Sequence, residues 1–236
     1  MCIALTGCHA PGFDILAPAD RQGADAAHLW RGTQMVALAV GVIVWGLIAF
    51  VTIRYRRRRH TPEGTIPSQR ASALVPEIIY IATPLVIVVA LFVFTTGAQR
   101  HINAVSSHPD LRVEVSGFQW GWQFHYPEGD ITVTSGASGT PGFVPPELVL
   151  PVGRTAEIDL TATDVVHAFY VPAFLFQRNA VPGTPTRFNV TPTRIGSFGG
   201  RCATFCGIRH TNMALTVRVV SPDEFSQWIA AGGHRP

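Results

Sequence analysis

Two cysteines, one histidine and one methionine fall within twelve residues near the C-terminal end of the chain. They are Cys202, Cys206, His210 and Met213, and each side chain can ligate a metal. Thiolate and imidazole ligands favour copper or zinc over magnesium or calcium. The thioether favours copper, because methionine is a poor zinc ligand and a common weak axial ligand at copper electron-transfer sites. The spacing predicts one compact loop wrapped around a metal.

Two simpler explanations of the cysteine pair stay open at this point. A disulfide often joins close cysteines in an oxidising compartment, but it explains neither His210 nor Met213. A structural zinc site fits the C-x₃-C…H spacing loosely. Only the joint occurrence of all four residues favours copper over these alternatives.

An upstream histidine, His167, is a candidate for the ligand that such a site still lacks. It lies in the sequence Asp164-Val-Val-His167, within an apolar stretch that reads as β structure. A single histidine in such a stretch is usually a core or surface residue. With the cysteine cluster present, a second imidazole would complete a two-copper or His₂Cys-type site, and we predict that His167 is a ligand.

Two apolar runs, at residues 34–53 and 74–95, are each long enough to cross a bilayer as a helix. Five arginines lie between them at residues 54–59. Such an excess of arginine marks a cytoplasmic loop. Two spans with this loop inside place both termini and the metal cluster outside the cytoplasm. We therefore predict a membrane protein with an extracytoplasmic metal domain, in the periplasm or its equivalent.

The composition agrees with membrane residence and argues against nucleic acid as a partner. The 236 residues are 47% hydrophobic and only 14% charged, against a typical charged share of about 25%. From residue 107 onward there are nine arginines and ten acidic residues, so this part is nearly neutral. No basic stripe indicates nucleic-acid binding.

Cys8 is a candidate lipidation site. The sequence Leu5-Thr-Gly-Cys8 resembles a bacterial lipobox, whose cysteine is lipidated after signal cleavage. The preceding apolar stretch is short and lacks the basic start of a signal peptide. An external Cys8 agrees with the predicted topology.

The region after residue 110 is predicted to be β structure that positions the metal ligands. Alternating apolar and polar residues, punctuated by glycine and proline turns, favour a sandwich or Greek-key barrel. The predicted strands cover residues 111–115, 123–126, 131–133, 148–150, 155–161, 186–190 and 215–219. A final helix is predicted after Ser221, with Pro222 at its first position and Glu224 completing a capping box.

The order of these features resembles subunit II of bacterial haem–copper cytochrome c oxidases. Two N-terminal spans precede an aromatic motif at residues 117–122 (GFQWGW), then Asp164-x-x-His167, then the 202–213 loop. The resemblance covers roughly residues 30–230. It implies a membrane α hairpin followed by a cupredoxin-like Greek-key β-barrel or sandwich. The expected domains are 1–31 (extracytoplasmic segment), 32–97 (membrane hairpin), 107–222 (copper domain) and 223–236 (C-terminal helix and tail).

The resemblance implies a binuclear copper-A centre of two copper ions. In the family two thiolates bridge the ions, two imidazoles are terminal ligands, a thioether is a weak ligand, and a carbonyl between the cysteines completes the set. The matching positions here are Cys202, Cys206, His167, His210, Met213 and the carbonyl of Thr204.

Thr204 departs from the family pattern. That position is usually a glutamate, whose carboxylate also binds magnesium at the interface with subunit I. A copper ligand supplied by the main-chain carbonyl does not depend on the side chain, so the copper site should survive. A threonine hydroxyl is a poorer magnesium ligand, which places the magnesium site in doubt. Asn179 and Gln177 replace an expected aspartate and a common basic residue nearby.

Two further positions match functional residues of the family. Trp120 matches the tryptophan that receives electrons from cytochrome c, although a core or membrane-surface aromatic is the plainer interpretation. Glu77 matches a glutamate at the mouth of a proton-uptake channel in subunit I, although an interfacial carboxylate reaching water is the alternative. The near-neutral domain is compatible with a tethered cytochrome c, or with one of different charge.

The resulting hypothesis is the electron-accepting subunit of a proton-pumping cytochrome c oxidase. It would pass electrons from cytochrome c to haem in subunit I, where oxygen is reduced to water, and subunit III is a further expected partner. Three alternatives remain. A quinol oxidase subunit II would lack copper ligands, a membrane-anchored copper carrier would need neither Trp120 nor Glu77, and nitrous oxide reductase needs a further catalytic domain.

Overall fold

The computed structural model describes residues 17–56, 64, 72–136 and 139–234. Two long helices, α1 (Arg21–Arg54) and α2 (Leu74–Ile102), precede a β domain of two five-stranded sheets. Residues 28–99 form one compact unit, and the β domain with the first residues of α1 forms another. The predicted fold class is confirmed, because two apolar helices are followed by a β domain of two sheets.

Both helices are long and apolar enough to cross a membrane. α1 begins well before the apolar run that starts at residue 34, and α2 continues to Ile102 and includes Pro84. No side chain in the most apolar window of either helix is buried within the described chain, as expected for surfaces that face lipid. Cys8 and residues 57–60 of the arginine run lie outside the described residues.

Ten strands make up the β domain. They are β1 (Leu111–Phe118), β2 (Gly121–Tyr126), β3 (Ile131–Thr134), β4 (Glu147–Pro151), β5 (Ala156–Ala162), β6 (His167–Val171), β7 (Phe176–Ala180), β8 (Thr186–Val190), β9 (Gly196–Cys202) and β10 (Ala214–Val220). One sheet has the order β3-β2-β1-β5-β8 and the other β4-β10-β9-β6-β7. β1 pairs with β5 and β4 with β10 in parallel, and the remaining pairs are antiparallel.

All seven predicted strands are present, and the apolar stretch at His167 that was expected to be β structure is strand β6. The sequence did not predict β7 and β9. β1 shows the alternation that made it predictable, since its residues at every second position are buried. The buried side chains of the domain form one core cluster. Its largest fully buried members include Trp122, Phe124, Tyr126, Leu148, Ile158, Phe169, Phe174, Phe188 and Trp228.

The C-terminal helix α3 (Pro222–Ala230) begins as predicted. Ser221 is its N-cap, with the hydroxyl accepting a hydrogen bond from the Glu224 main-chain N–H at 3.1 Å, and Pro222 occupies the first turn. The predicted capping box is wrong in its second half. The Glu224 carboxylate accepts a hydrogen bond from Arg218 Nη1 at 2.8 Å, because a nearby guanidinium is a stronger partner than a main-chain N–H.

Candidate metal centre

The β9–β10 hairpin brings the C-terminal cluster together. Cys202 is the last residue of β9, and Met213 immediately precedes β10. The two strands pair antiparallel, and Cys202 N–H donates to the Met213 carbonyl at 2.9 Å. A short 3₁₀ helix, His210–Asn212, turns the chain back between them. We call residues 202–213 the ligand loop.

Cys206 lies at the centre of the ligand loop. Its Sγ is 3.8 Å from Cys202 Sγ, 3.8 Å from Met213 Sδ and 3.6 Å from His210 Nδ1. Both cysteines are free thiols, whereas a disulfide requires sulfurs about 2.05 Å apart. Four potential ligands therefore face one small volume, which neither a disulfide nor a plain structural zinc site accounts for.

β6 contributes the remaining imidazole from the neighbouring strand. His167 begins β6, which pairs with β9, and its Nδ1 lies 3.9 Å from Cys202 Sγ. The ligand atoms of His167, Cys202 and Cys206 all lie within 4.8 Å of one another. The Thr204 carbonyl is 3.2 Å from Cys202 Sγ. The structure thus brings together every predicted ligand, including the one that is separated in sequence.

The two imidazoles differ in environment. His167 is fully buried, with Trp122 packed edge-on at 6.2 Å between ring centroids, whereas His210 is partly exposed beside Phe205. Met213 is also fully buried, and each cysteine is less than 5% exposed. The site is therefore dry on the His167 side and close to solvent on the His210 side.

A carboxylate orients the buried histidine. His167 Nε2 donates to Asp164 Oδ1 at 2.8 Å, which leaves Nδ1 directed at Cys202 Sγ. Such carboxylate–histidine pairs fix the ring and the tautomer of metal-binding histidines. Burial alone would raise the pKa of Asp164. Hydrogen bonds from His167 and from the Val165 and Gln119 main-chain N–H groups outweigh burial and lower this pKa.

The two thiols differ in acidity. Burial opposes ionisation of Cys202, but hydrogen bonds from His167 and the Ala168 N–H lower its pKa to about 6. Burial and the neighbouring Cys202 thiolate raise the pKa of Cys206 to about 12. Although burial lowers the pKa of His167, its hydrogen bonds to Cys202 and Asp164 raise it overall. One thiolate therefore forms readily, and its charge and burial disfavour ionisation of the second thiol.

Trp120 lies against the ligand loop. Its indole Nε1 donates to the Cys206 carbonyl at 3.2 Å, and its ring is partly exposed with the Arg209 guanidinium 5.7 Å from the ring centroid. No role was predicted for Gln119 or Arg209 from the sequence, although both lie in segments that carry predicted site residues. Gln119 Nε2 donates to the same carbonyl at 2.8 Å.

Comparisons with known proteins show which family the chain belongs to. The family described as cytochrome C oxidase subunit II, periplasmic domain, matches residues 143–220. A relative from Streptomyces avermitilis named probable cytochrome c oxidase subunit 2 is 36% identical over 260 residues, covering 95% of this chain and 81% of the relative. The chain belongs to the cytochrome c oxidase subunit 2 family. It is therefore a subunit of an oxidoreductase, and its donor set of thiols, imidazoles and a thioether fits copper.

Other members of the subunit 2 family are more distant. The cytochrome c oxidase subunit 2 of Mycobacterium tuberculosis H37Rv is 29% identical over 255 residues, covering 86% of this chain and 70% of the relative. A solved structure of the periplasmic domain of subunit II from Bradyrhizobium japonicum is 31% identical. It covers 54% of this chain and 96% of that chain, with a TM-score of 0.49.

The magnesium site that the resemblance implies does not fit these residues. Thr204 Oγ1 donates to Asn179 Oδ1 at 3.4 Å, so a hydroxyl and an amide stand where a carboxylate would bind the ion. Magnesium in proteins is usually held by one or two carboxylates. A neutral pair supplies no negative charge, and no part of the proposed function uses magnesium.

The structure places Glu77 in the first turn of α2, where its carboxylate accepts a hydrogen bond from the Ala73 N–H at 2.9 Å. This contact caps the helix locally. Glu77 belongs to the unit of residues 28–99, which contains neither His167 nor the ligand loop.

Proposed function

We propose that this chain is the electron-accepting subunit of a terminal cytochrome c oxidase. It would take one electron at a time from a cytochrome c and pass it to haem in subunit I, where oxygen is reduced to water with proton pumping. The observation that carries the proposal is the meeting of His167, Cys202 and Cys206 within 4.8 Å, with His210 and Met213 beside them.

The donor set suits two copper ions. Two buried sulfurs 3.8 Å apart can both bridge a metal pair, and one imidazole lies beside each sulfur. Two copper ions bound there would supply reversible one-electron redox chemistry. The protein residues hold the donors on strand ends and a hairpin, so little has to move when an electron arrives or leaves. In this proposal the sulfurs of Cys202 and Cys206 and the imidazoles of His167 and His210 would hold the two ions. Met213 would be the weak ligand, and the Thr204 carbonyl would complete the set.

Trp120 is the proposed contact for the electron donor. Its ring is partly exposed, while its indole N–H is bonded to the carbonyl of a copper ligand. This connects the surface to Cys206 through one hydrogen bond. Because the residues from 107 onward are nearly neutral, the proposed donor need not be a strongly basic cytochrome c.

The proposed partners in the membrane are oxidase subunits I and III. The two apolar helices would span the inner membrane with the arginine run in the cytoplasm, placing both termini and the copper domain outside it. Glu77 would then lie near the cytoplasmic side, where we propose that it assists proton uptake. Lipidation of Cys8 would add an external anchor.

The test uses the full-length chain, purified in detergent and reconstituted with copper. Cys2 and Cys8 are replaced by serine in every sample, because the chain has four cysteines and the two outside the ligand loop could bind copper adventitiously. We expect two coppers per chain and an electron paramagnetic resonance spectrum with hyperfine splitting shared equally by both nuclei. One copper with a localised signal would refute the proposal and favour a copper carrier.

A further inference from the structure

Gln119 contacts both halves of the metal centre. We call His167 and Cys202 the His167 half, and Cys206, His210 and Met213 the Cys206 half. Its main-chain N–H donates to Asp164 Oδ2 at 2.7 Å, and the other oxygen of this carboxylate holds His167. Its side-chain Nε2 donates to the Cys206 carbonyl at 2.8 Å. One residue, in the turn between β1 and β2, is thus a single contact away from the group that orients His167 and from the main chain of Cys206.

The ligand loop is shaped to accept this contact. Gly207, directly after Cys206, has φ of +119°, a conformation that side-chain-bearing residues rarely adopt. A Cβ atom at Gly207 would lie 3.2 Å from Gln119 Nε2 and 3.1 Å from Trp120 Cζ2. Glycine therefore lets both N–H donors approach the Cys206 carbonyl closely.

We propose that Gln119 is a positioning residue of the metal centre, which fixes the Cys206 half of the donor set relative to the His167 half. Its two hydrogen bonds act on different halves, through Asp164 on one side and through the Cys206 carbonyl on the other. The spectroscopic part of this inference rests on the proposed copper function. The geometric part does not, because the contacts exist in the metal-free chain.

The main-chain and side-chain hydrogen bonds of Gln119 should respond differently when its side chain is replaced. The main-chain bond to Asp164 survives any side-chain replacement, so the His167 half keeps its orientation. Loss of the side-chain amide leaves the Cys206 carbonyl with the longer, 3.2 Å bond from Trp120. The Cys206 peptide can then rotate, and its sulfur contacts Cys202, His210 and Met213. The disturbance should fall on the Cys206 half of the site.

The experiment compares Gln119→Leu with Gln123→Leu in the full-length chain lacking Cys2 and Cys8. Gln123 is also an exposed glutamine and lies on the adjacent strand β2, which makes it a matched control. For Gln119→Leu we expect two coppers per chain, hyperfine splitting that is unequal between the nuclei, and copper release to a chelator about 10-fold faster. The thermal unfolding midpoint of the metal-free chain should match that of the control.

Equal splitting and an unchanged release rate in Gln119→Leu would overturn the proposal. So would a large fall in the unfolding midpoint of the metal-free chain, since it would show a role in the fold alone. A third readout does not need copper: in the metal-free chain, amide hydrogen exchange of the peptide that contains Cys206 should be about 10-fold faster in Gln119→Leu than in the Gln123→Leu control. If the parent chain fails the two-copper test, this rate still decides the role of Gln119.

Discussion

The ligand loop and the aromatic cluster under α3 are held by different interactions. The loop is fixed by hydrogen bonds to its main chain, such as the two donated to the Cys206 carbonyl. The aromatic cluster consists of Tyr126, Phe225 and Trp228, which are at most 5% exposed, with the Tyr126 and Trp228 rings 4.9 Å apart. The loop therefore determines the geometry of the site, whereas the cluster stabilises the fold.

We expect the largest effect from a substitution in the ligand loop. Cys202→Ser removes a proposed bridging sulfur, and we expect complete loss of the two-copper spectrum in the reconstituted full-length chain. The free energy of unfolding of the metal-free chain should change by about 1 kcal/mol or less, because a hydroxyl replaces a thiol of similar size. Retention of the spectrum would contradict the ligand assignment.

In the aromatic cluster we expect a large loss of stability and no change in the copper spectrum. Trp228→Ala should lower the free energy of unfolding by about 3–5 kcal/mol, since it leaves a large cavity in the core. Folded protein should keep the parent copper spectrum. Gln227→Ala, at an exposed position of the same helix, is the control and should be nearly neutral. A changed spectrum in folded Trp228→Ala would show that the two regions are coupled.

A pH effect is expected outside both regions, at Asp20. This residue precedes α1, is 1% exposed and accepts a hydrogen bond from the Gly23 N–H, and burial raises its pKa to about 7. The unfolded chain loses this proton from about pH 4, and the folded chain only from about pH 7. The contribution of the Asp20 carboxyl to the free energy of unfolding is therefore fully present below about pH 4. It is lost as the pH rises to about 7.

Asp20→Asn should remove this pH dependence, because asparagine is also a good N-cap and does not titrate. At pH 8 we expect the variant to be more stable than the parent chain by roughly 2–4 kcal/mol, since one unit of pKa corresponds to about 1.4 kcal/mol. Denaturant unfolding of the full-length chain at pH 4 and pH 8 measures this. If the free energy of unfolding changed equally between pH 4 and pH 8 in both proteins, the pH dependence would not come from Asp20.

A smaller effect is expected at the cap of the helix that carries Trp228. Ser221→Ala removes the hydroxyl that accepts the Glu224 N–H, which should cost about 1 kcal/mol of stability. Ser221→Asp is the matched rescue, because aspartate caps helices equally well. A loss with aspartate as large as that with alanine would argue against capping.

The smallest effect is expected inside the ligand loop itself. Thr204→Ala keeps the main-chain carbonyl and removes the γ-methyl group and the hydroxyl bonded to Asn179. We expect two coppers per chain, an unchanged spectrum and a stability change within about 0.5 kcal/mol. Loss of both coppers would show that the side chain, and not the carbonyl, matters to the centre.

Local pattern predicted most of the strands but not β7 and β9. β1, β5 and β10 alternate or carry β-branched residues, so the sequence indicates them directly. β9 contains three glycines and β7 reads FQRNA, compositions that disfavour strands in isolation. They are strands because β9 pairs with both β10 and β6, and β7 pairs with β6. Pairing with neighbours, which the local sequence does not reveal, decided them.

The sequence by itself determined the donor set, because thiols, imidazole and thioether within one loop have few other uses. It also determined the two apolar helices through their length and composition. Only the tertiary structure placed His167 beside Cys202, 35 residues away in the chain, and joined Gln119 to Asp164 and Cys206. Hydrogen bonds between distant residues depend on strand pairing and on main-chain direction, and neither is written in the spacing of residue types.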